Sequence, residues 1–218
     1  MTGPGIKIRS ENKYLHLLIW LIANFLASPF IEDLSPTFPV ISLVFLLSLI
    51  LTLRALNIKR TLFLVCSGLG VVAFILEVLP GIMLSAASLS IFIIFILLSI
   101  ILMVKHMFST NRVTGDTVIG GVCVYFLVGY LFALFYFLIY LFDHNAFVFS
   151  TQWDNLYLFY LSFSTLTTLG YGDVYPVNTI AMVLANLEAI TGQMFLAVFV
   201  ARMVGLHIIH HASRAHES

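Results

Sequence analysis

The chain has 218 residues, of which 61% are hydrophobic and only 9% charged, whereas a soluble domain carries roughly a quarter charged residues. Ten Lys and Arg balance ten Asp and Glu, so the charge gives no sign of nucleic acid or an acidic substrate as partner, and the composition is that of an integral membrane protein. The two cysteines, Cys66 and Cys123, both lie inside apolar runs and read as neither a disulfide, a metal ligand nor a nucleophile.

Residues 1–13 carry Lys7, Arg9 and Lys13 ahead of the first long apolar stretch. That is how a signal peptide begins, but no small-residue cleavage site follows, so a cytoplasmic N-terminus and a retained first span are expected. A bilayer core about 30 Å thick takes about 20 apolar residues per helix. Six stretches qualify: 14–30, 39–56, 61–79, 82–104, 118–142 and 179–206. Pro29, Pro36 and Pro39 punctuate the first turn, Asn57 to Arg60 the second, and Pro80 with Gly81 the third. Lipid satisfies no backbone group, so spans must be helices or a closed barrel, and these runs are too long and too unalternating for barrel strands. The expected fold is all-α, with 14–106 as a four-helix bundle and 107–117 as a cytoplasmic linker.

Threaded through six spans, Lys7, Arg9, Lys13, Arg54, Lys59, Arg60, Lys105, Arg112, Arg202 and Arg214 all fall on one side. The positive-inside rule makes that side the cytoplasm. The opposite loops carry Glu32, Asp33, Asp143, Asp154 and Asp173 and no basic residue. Both termini of a multi-pass cell-membrane protein are therefore expected inside.

Between the fifth and sixth spans, "WDNLYLFYLSFSTLTT" opens with Asp154 in an N-cap position and continues with an apolar run of about 13 residues, too short to cross. A helix entering there ends near Thr167, at mid-membrane. Non-helical backbone at that depth is tolerated only when buried in protein or lining a water-filled path, so the following "TLGYGD" is expected to line one.

Thr165, Thr167, Thr168, Leu169, Gly170, Tyr171, Gly172 and Asp173 resemble the selectivity filter of the potassium-channel family, in particular its prokaryote-like, six-transmembrane, one-pore members. The resemblance implies a homotetramer with an outer helix at 118–142, a pore helix at 155–167, a filter at 168–173, an inner helix at 179–206 and a cytoplasmic tail at 207–218. Carbonyls of Thr168, Leu169, Gly170 and Tyr171, with the Thr168 hydroxyl, would replace the water shell of K+. Gly170 and Gly172 suit the left-handed backbone that turns alternate carbonyls inward. Thr167 and Asp173 flank the filter, and Tyr171 is expected to point away from the axis against aromatics such as Tyr160 and Trp153. The C-terminal end of the pore helix carries partial negative charge, which favours a cation below the filter. Leu169 stands where the family often has Val, and Ser164 where some relatives place a glutamate that pairs with the filter aspartate.

In the last span, Gly192 stands twenty residues beyond Gly172, where the family commonly has a hinge glycine; a small residue for close helix packing is the alternative. Gln193, Leu196, Val200 and Val204 then become pore-lining candidates, the three apolar ones forming a ring that closes by dewetting. Glu188 either binds ions near the filter or hydrogen-bonds behind it or between subunits. The first four spans match a sensor bundle in layout only. The fourth has no Lys or Arg between Ile82 and Val104, so voltage has little charge to move. After Leu206 twelve residues remain, and no ligand-binding domain is expected. His207, His210, His211 and His216 are pH-sensing candidates at the cytoplasmic end, with a solvated tail as the plainer reading.

The sequence thus reads as a channel for passive K+ flow, with self, lipid and K+ as partners and neither cofactor nor enzyme activity expected. A nonselective monovalent cation channel differs only in lacking a complete filter, and a secondary transporter would show inverted repeats and charged broken helices.

Overall fold

The computed structural model describes residues 14–27, 38–56, 58–109, 114–150 and 157–216. It is helical apart from one small hairpin: α1 (Leu15–Ala27), α2 (Phe38–Ala55), α3 (Arg60–Val78), α4 (Ile82–Ser109), α5 (Gly115–Phe142), β1 (Phe147–Phe149), α6 (Tyr157–Leu166), β2 (Val174–Pro176) and α7 (Thr179–His216). Among the described residues four helices are long and apolar enough to cross a membrane: α3, α4, α5 and the Thr179–Leu206 part of α7. The described parts of the first two stretches are shorter apolar helices, Leu15–Leu26 and Ser42–Arg54.

Two helices run past the C-terminal bounds that hydropathy sets, and α5 begins at Gly115 ahead of the expected 118, so the expected 107–117 linker is helical at both ends. The fourth was expected to stop at 104 but continues to Ser109, and the seventh, expected to stop at 206, continues to His216. Hydropathy measures what suits lipid, whereas a helix ends where its carbonyls find other partners. At the end of α4, Arg202 on α7 supplies them. Its guanidinium donates to the carbonyls of Met107 at 3.2 Å and Phe108 at 3.0 Å and lies 4.1 Å from the centre of the Phe108 ring.

The start of α5 is set by sequence in the ordinary way. Thr114 has an extended backbone, and its side chain accepts from the Thr117 N–H, which satisfies one orphan donor. Asp116 in the first turn complements the helix dipole.

α5 is the hub. Three of its glycines each receive a ring from a different direction: Gly120 takes Tyr14, Gly129 takes Phe163 of α6, and Gly121 takes Phe199 of α7. A Cβ at Gly120 or Gly129 would stand 2.9 or 2.8 Å from those rings. Small residues that admit a neighbour are how apolar helices find fixed contacts in lipid, where hydrophobic burial discriminates little between surfaces. Polar contacts add direction. Tyr130 donates to Asn24 Oδ1 of α1 at 2.9 Å, and Cys123 Sγ lies 3.6 Å from the Tyr14 carbonyl. The shared core joins Leu17 and Leu21 of α1, Leu49 and Leu53 of α2, Phe95 and Met103 of α4, and Leu127 of α5, all buried. Elsewhere in the bundle, Ser88 donates to the Ala73 carbonyl at 2.8 Å and Ser42 to Glu77 Oε1 at 2.8 Å. Glu77 is an apolar-helix carboxylate that the hydropathy reading passes over.

The hairpin pairs β1 with β2 antiparallel, in the register Phe147↔Pro176, Val148↔Tyr175 and Phe149↔Val174. It joins the segment after α5 to the segment before α7.

Removing the guanidinium tests the α4–α7 joint. Hydrogen bonds to a charged donor are each worth about 1.5–3 kcal/mol, and partial exposure of Arg202 reduces this. Arg202→Ala should therefore lower stability by about 1–2 kcal/mol, read as an earlier thermal melt of the detergent-solubilised protein. Arg202→Lys, which lacks the planar group that lies over the Phe108 ring, should recover less than half. An unchanged melt for both would show that the joint holds nothing.

Candidate functional site

α6 has ten residues, a rod of about 15 Å at 1.5 Å per residue, half the depth of a bilayer core. Its buried face is Leu158, Leu161, Ser162, Ser164 and Leu166, and its length ends where the following residues leave helical geometry. The expected helix at 155–167 is therefore shorter at its C-terminal end, and Asp154 and Trp153 lie outside the described residues. The last turn is tied down from α5, where Tyr125 donates its hydroxyl to the Leu166 carbonyl at 3.1 Å.

The run beyond the helix alternates in handedness. Thr168 has φ 60°, Gly170 57° and Gly172 78°. Every second residue is left-handed, so successive peptide planes turn and their carbonyls can share one side, which a regular strand forbids. At Gly170 and Gly172 a Cβ would meet nothing within 4 Å. What selects glycine there is the backbone angle, not space. Thr168 is the member the sequence does not announce. A left-handed non-glycine residue costs roughly 1–2 kcal/mol, so it must be held. Its hydroxyl donates to the Thr167 carbonyl at 2.6 Å, and Gln193 Nε2 of α7 donates to that hydroxyl at 3.4 Å.

The back of the run is anchored to the protein. The Gly170 N–H donates to both the carbonyl and the hydroxyl of Ser164, at 3.2 and 3.1 Å. Tyr171 stacks on Tyr160 with centroids 6.1 Å apart and planes 8° from parallel. Tyr160 in turn donates to Asp173 Oδ1 at 3.1 Å. Ser164 thus serves the backbone of the run, and the aspartate finds a tyrosine. The other side is bare: Thr167, Thr168, Leu169, Gly170 and Gly172 are all exposed.

Behind α6 sits Glu188 of α7, fully buried at 0% exposure. Tyr136 of α5 donates to its Oε2 at 2.5 Å, and the Ser162 hydroxyl of α6 lies against its Oε1. Ser162 also reaches the Gly129 carbonyl of α5 at 2.7 Å, and its single proton serves one acceptor at a time. The carboxyl group therefore joins three helices and does not face the bare side. Four residues on along α7, Gly192 lies against the end of α6, and a Cβ there would run into the Leu166 carbonyl. α7 is unbroken helix through this position. Leu196, Val200 and Val204 are 40%, 56% and 53% exposed, and with exposed Gln193 they form a stripe on the same helix that carries Gln193 to Thr168. The backbone at His207, His210, His211 and His216 is helical, and those side chains lie outside the described residues.

Sequence reading missed Tyr125, Tyr136 and Ser162. The serines of α6 carried a signal, because hydroxyls in a short apolar helix need partners. The tyrosines carried none. Residues 117–206 match a family model described as an ion channel, which covers α5, the hairpin, α6 and the apolar length of α7. No curated protein and no solved structure matches the chain.

Two substitutions separate close packing from bending at Gly192. Gly192→Ala should destabilise by about 1–3 kcal/mol through overpacking against backbone, while Gly205→Ala, where nothing lies within 4 Å, should be neutral or slightly stabilising. Equal melts for the two variants would remove the packing constraint. For Glu188 the expected order differs by chemistry. Gln offers an acceptor to Tyr136 and a donor to Ser162 and should fold as well as the native residue. Ala leaves the buried Tyr136 hydroxyl unpaired and should cost about 1–3 kcal/mol. Equal losses in Gln and Ala would mean that a charged carboxylate is required.

Proposed function

We propose that this chain, whose residues 117–206 match a family model described as an ion channel, is a K+-selective channel that conducts passively as a homotetramer. The observation that carries the reading is the alternation of left-handed residues at 168, 170 and 172 in a run whose front is bare and whose back is anchored. Such a run offers rows of carbonyl oxygens to an axis, and replacing the hydration shell of K+ takes several such rows converging. A single chain has one. Four copies around the bare side supply the ring, with sites at the carbonyls of Thr168, Leu169, Gly170 and Tyr171 and the Thr168 hydroxyl at the inner end.

The apolar length of α7 is mostly uncovered within one chain, which leaves it surface on which neighbouring copies would pack. Leu196, Val200 and Val204 on that uncovered helix would then face the conduction path below the filter, where an apolar ring closes by dewetting. The basic residues orient the filter mouth outward and Lys105 inward. With no Lys or Arg between Ile82 and Val104, gating by voltage would be shallow, since each charge moved through 100 mV supplies only about 2.3 kcal/mol.

The test is a bi-ionic recording from purified protein in a planar bilayer, with K+ on one side and Na+ on the other. The reversal potential should lie well toward the K+ equilibrium value. Gly170→Ala and Gly172→Ala should each abolish that preference or the current while the tetramer still assembles, because an added Cβ penalises the left-handed backbone by roughly 1–2 kcal/mol per residue and four strands share the penalty. Native selectivity in either alanine variant would falsify the filter geometry, and a native reversal potential near zero would favour a nonselective cation pore.

A further inference from the structure

Ser164 holds the middle of the filter run at the Gly170 N–H and Tyr160 meets Tyr171 and the Asp173 side chain, while the backbone at the outer end is held by a different element. We propose that strand β1, together with Ser150 immediately after it, is a clamp that positions the filter mouth, with Ser150 as a positioning residue acting through Asp173. The proposal rests on reading 168–173 as a filter.

The geometry converges on one carbonyl. Ser150 donates to the Asp173 oxygen twice, from its N–H at 3.0 Å and from its hydroxyl at 2.7 Å. Both lone pairs of that oxygen are thereby engaged, and the peptide that follows the last filter residue cannot rotate without losing both bonds. The pairing continues along the whole segment. The three-residue ladder follows, then the N–H groups of Val177 and Asn178 both donate to the Ala146 carbonyl, at 2.8 and 3.2 Å. Last, Asn178 Nδ2 donates to Asp143 Oδ2 at 2.9 Å. Residues 143–150 are thus zipped to 173–178 from the filter exit to the start of α7.

The clamp is itself anchored. Ala146, Phe147 and Val174 are buried, and the Phe147 ring meets Tyr136 of α5 edge-on at 5.6 Å. The restraint therefore transmits to the hub helix and not to a loose loop.

Such a restraint matters when the filter is empty. Rows of carbonyl oxygens aimed at one axis repel one another, and a cation between them is what offsets the repulsion. When external K+ is withdrawn the outermost site empties first, and the mouth then keeps its shape only through what holds it from behind. The Ser150 hydroxyl contributes one such bond per chain.

The experiment records macroscopic current in bilayers while external K+ is replaced by a nonpermeant organic cation, and measures the rate of run-down and its recovery when K+ returns. Ser150→Ala should run down about three- to tenfold faster, the range expected for losing one net hydrogen bond per chain. Ser150→Thr, which keeps the hydroxyl, should restore the native rate. In high external K+ the unitary conductance and tetramer yield of Ser150→Ala should match the native protein, which a merely structural role would not predict.

A second pair reads the same clamp in the opposite direction. Val148 and Tyr175 are exposed and directly opposite in register, within the Cα separation that a disulfide spans. Val148→Cys with Tyr175→Cys should slow run-down under oxidising conditions and release it on reduction. Native rates in Ser150→Ala and in the oxidised double variant, alongside native K+ selectivity, would overturn the clamp and leave the filter reading intact. Loss of K+ selectivity in the native protein itself would overturn both.

Discussion

An irregular stretch of backbone in a medium without water is the constraint on which the rest depends. Every N–H and C=O in residues 167–173 must either be paired inside the protein or face a hydrated path. The two sides of the run answer differently. On the back, Gly170 N–H goes to Ser164 and Asp173 O to Ser150, while Tyr171 rests on Tyr160. On the front, alternation of handedness at Thr168, Gly170 and Gly172 frees a row of carbonyls. The same residues that fix the back make the front available, so the site is a consequence of how the backbone is satisfied.

That anchoring works only if α6 cannot slide, and three polar contacts fix its position against α5 and α7. Tyr125 holds its last carbonyl, Ser162 reaches Gly129, and Glu188 gathers Tyr136 and Ser162. Ring-in-glycine contacts at Gly129 and Gly121, and the close approach at Gly192, set the distances. In lipid these contacts discriminate where hydrophobic burial does not. A buried carboxyl group with both oxygens engaged costs far less than a bare one, which explains how Glu188 can sit at zero exposure inside a membrane helix.

What the sequence made legible follows from which constraints choose residue types. Hydropathy located the long helices because lipid selects apolar side chains over about 20 positions. Gly170 and Gly172 were legible because a left-handed angle selects glycine. Thr168 shares that angle yet was read for its carbonyl and hydroxyl and not for its backbone, since its strain is borne by contacts and leaves no mark in residue type. The Tyr136–Glu188 contact joins positions 52 apart, beyond any local pattern. The hairpin was missed for another reason. Strands of three residues are too short for a period-two signal, and Pro176 at the end of β2 argues against a strand. The helix ends at Ser109 and His216 were missed because helix and lipid have different boundaries.

The front bundle meets this site at two heights, and the chemistry differs between them. Near the level of α6, Tyr130 of α5 ties α1 through Asn24 and packs its ring against Phe163 of α6 at 5.8 Å, so that contact bears on the helix that anchors the 168–173 run. Near the end of α4, Arg202 alone supplies both carbonyl contacts and the ring contact. Arg202 lies between Val200 and Val204 in sequence, but its side chain turns to α4 while those two remain uncovered. One turn of α7 therefore carries the α4 contact on one face and part of the bare apolar stripe on the other. A helix turn is rigid on this scale, so a displacement of the end of α4 has to move Val200 and Val204 with it. Gln193, which donates to the Thr168 hydroxyl, and Glu188, which holds Ser162 of α6, lie on that same continuous helix, so α7 joins the α4 contact to the back of the 168–173 run.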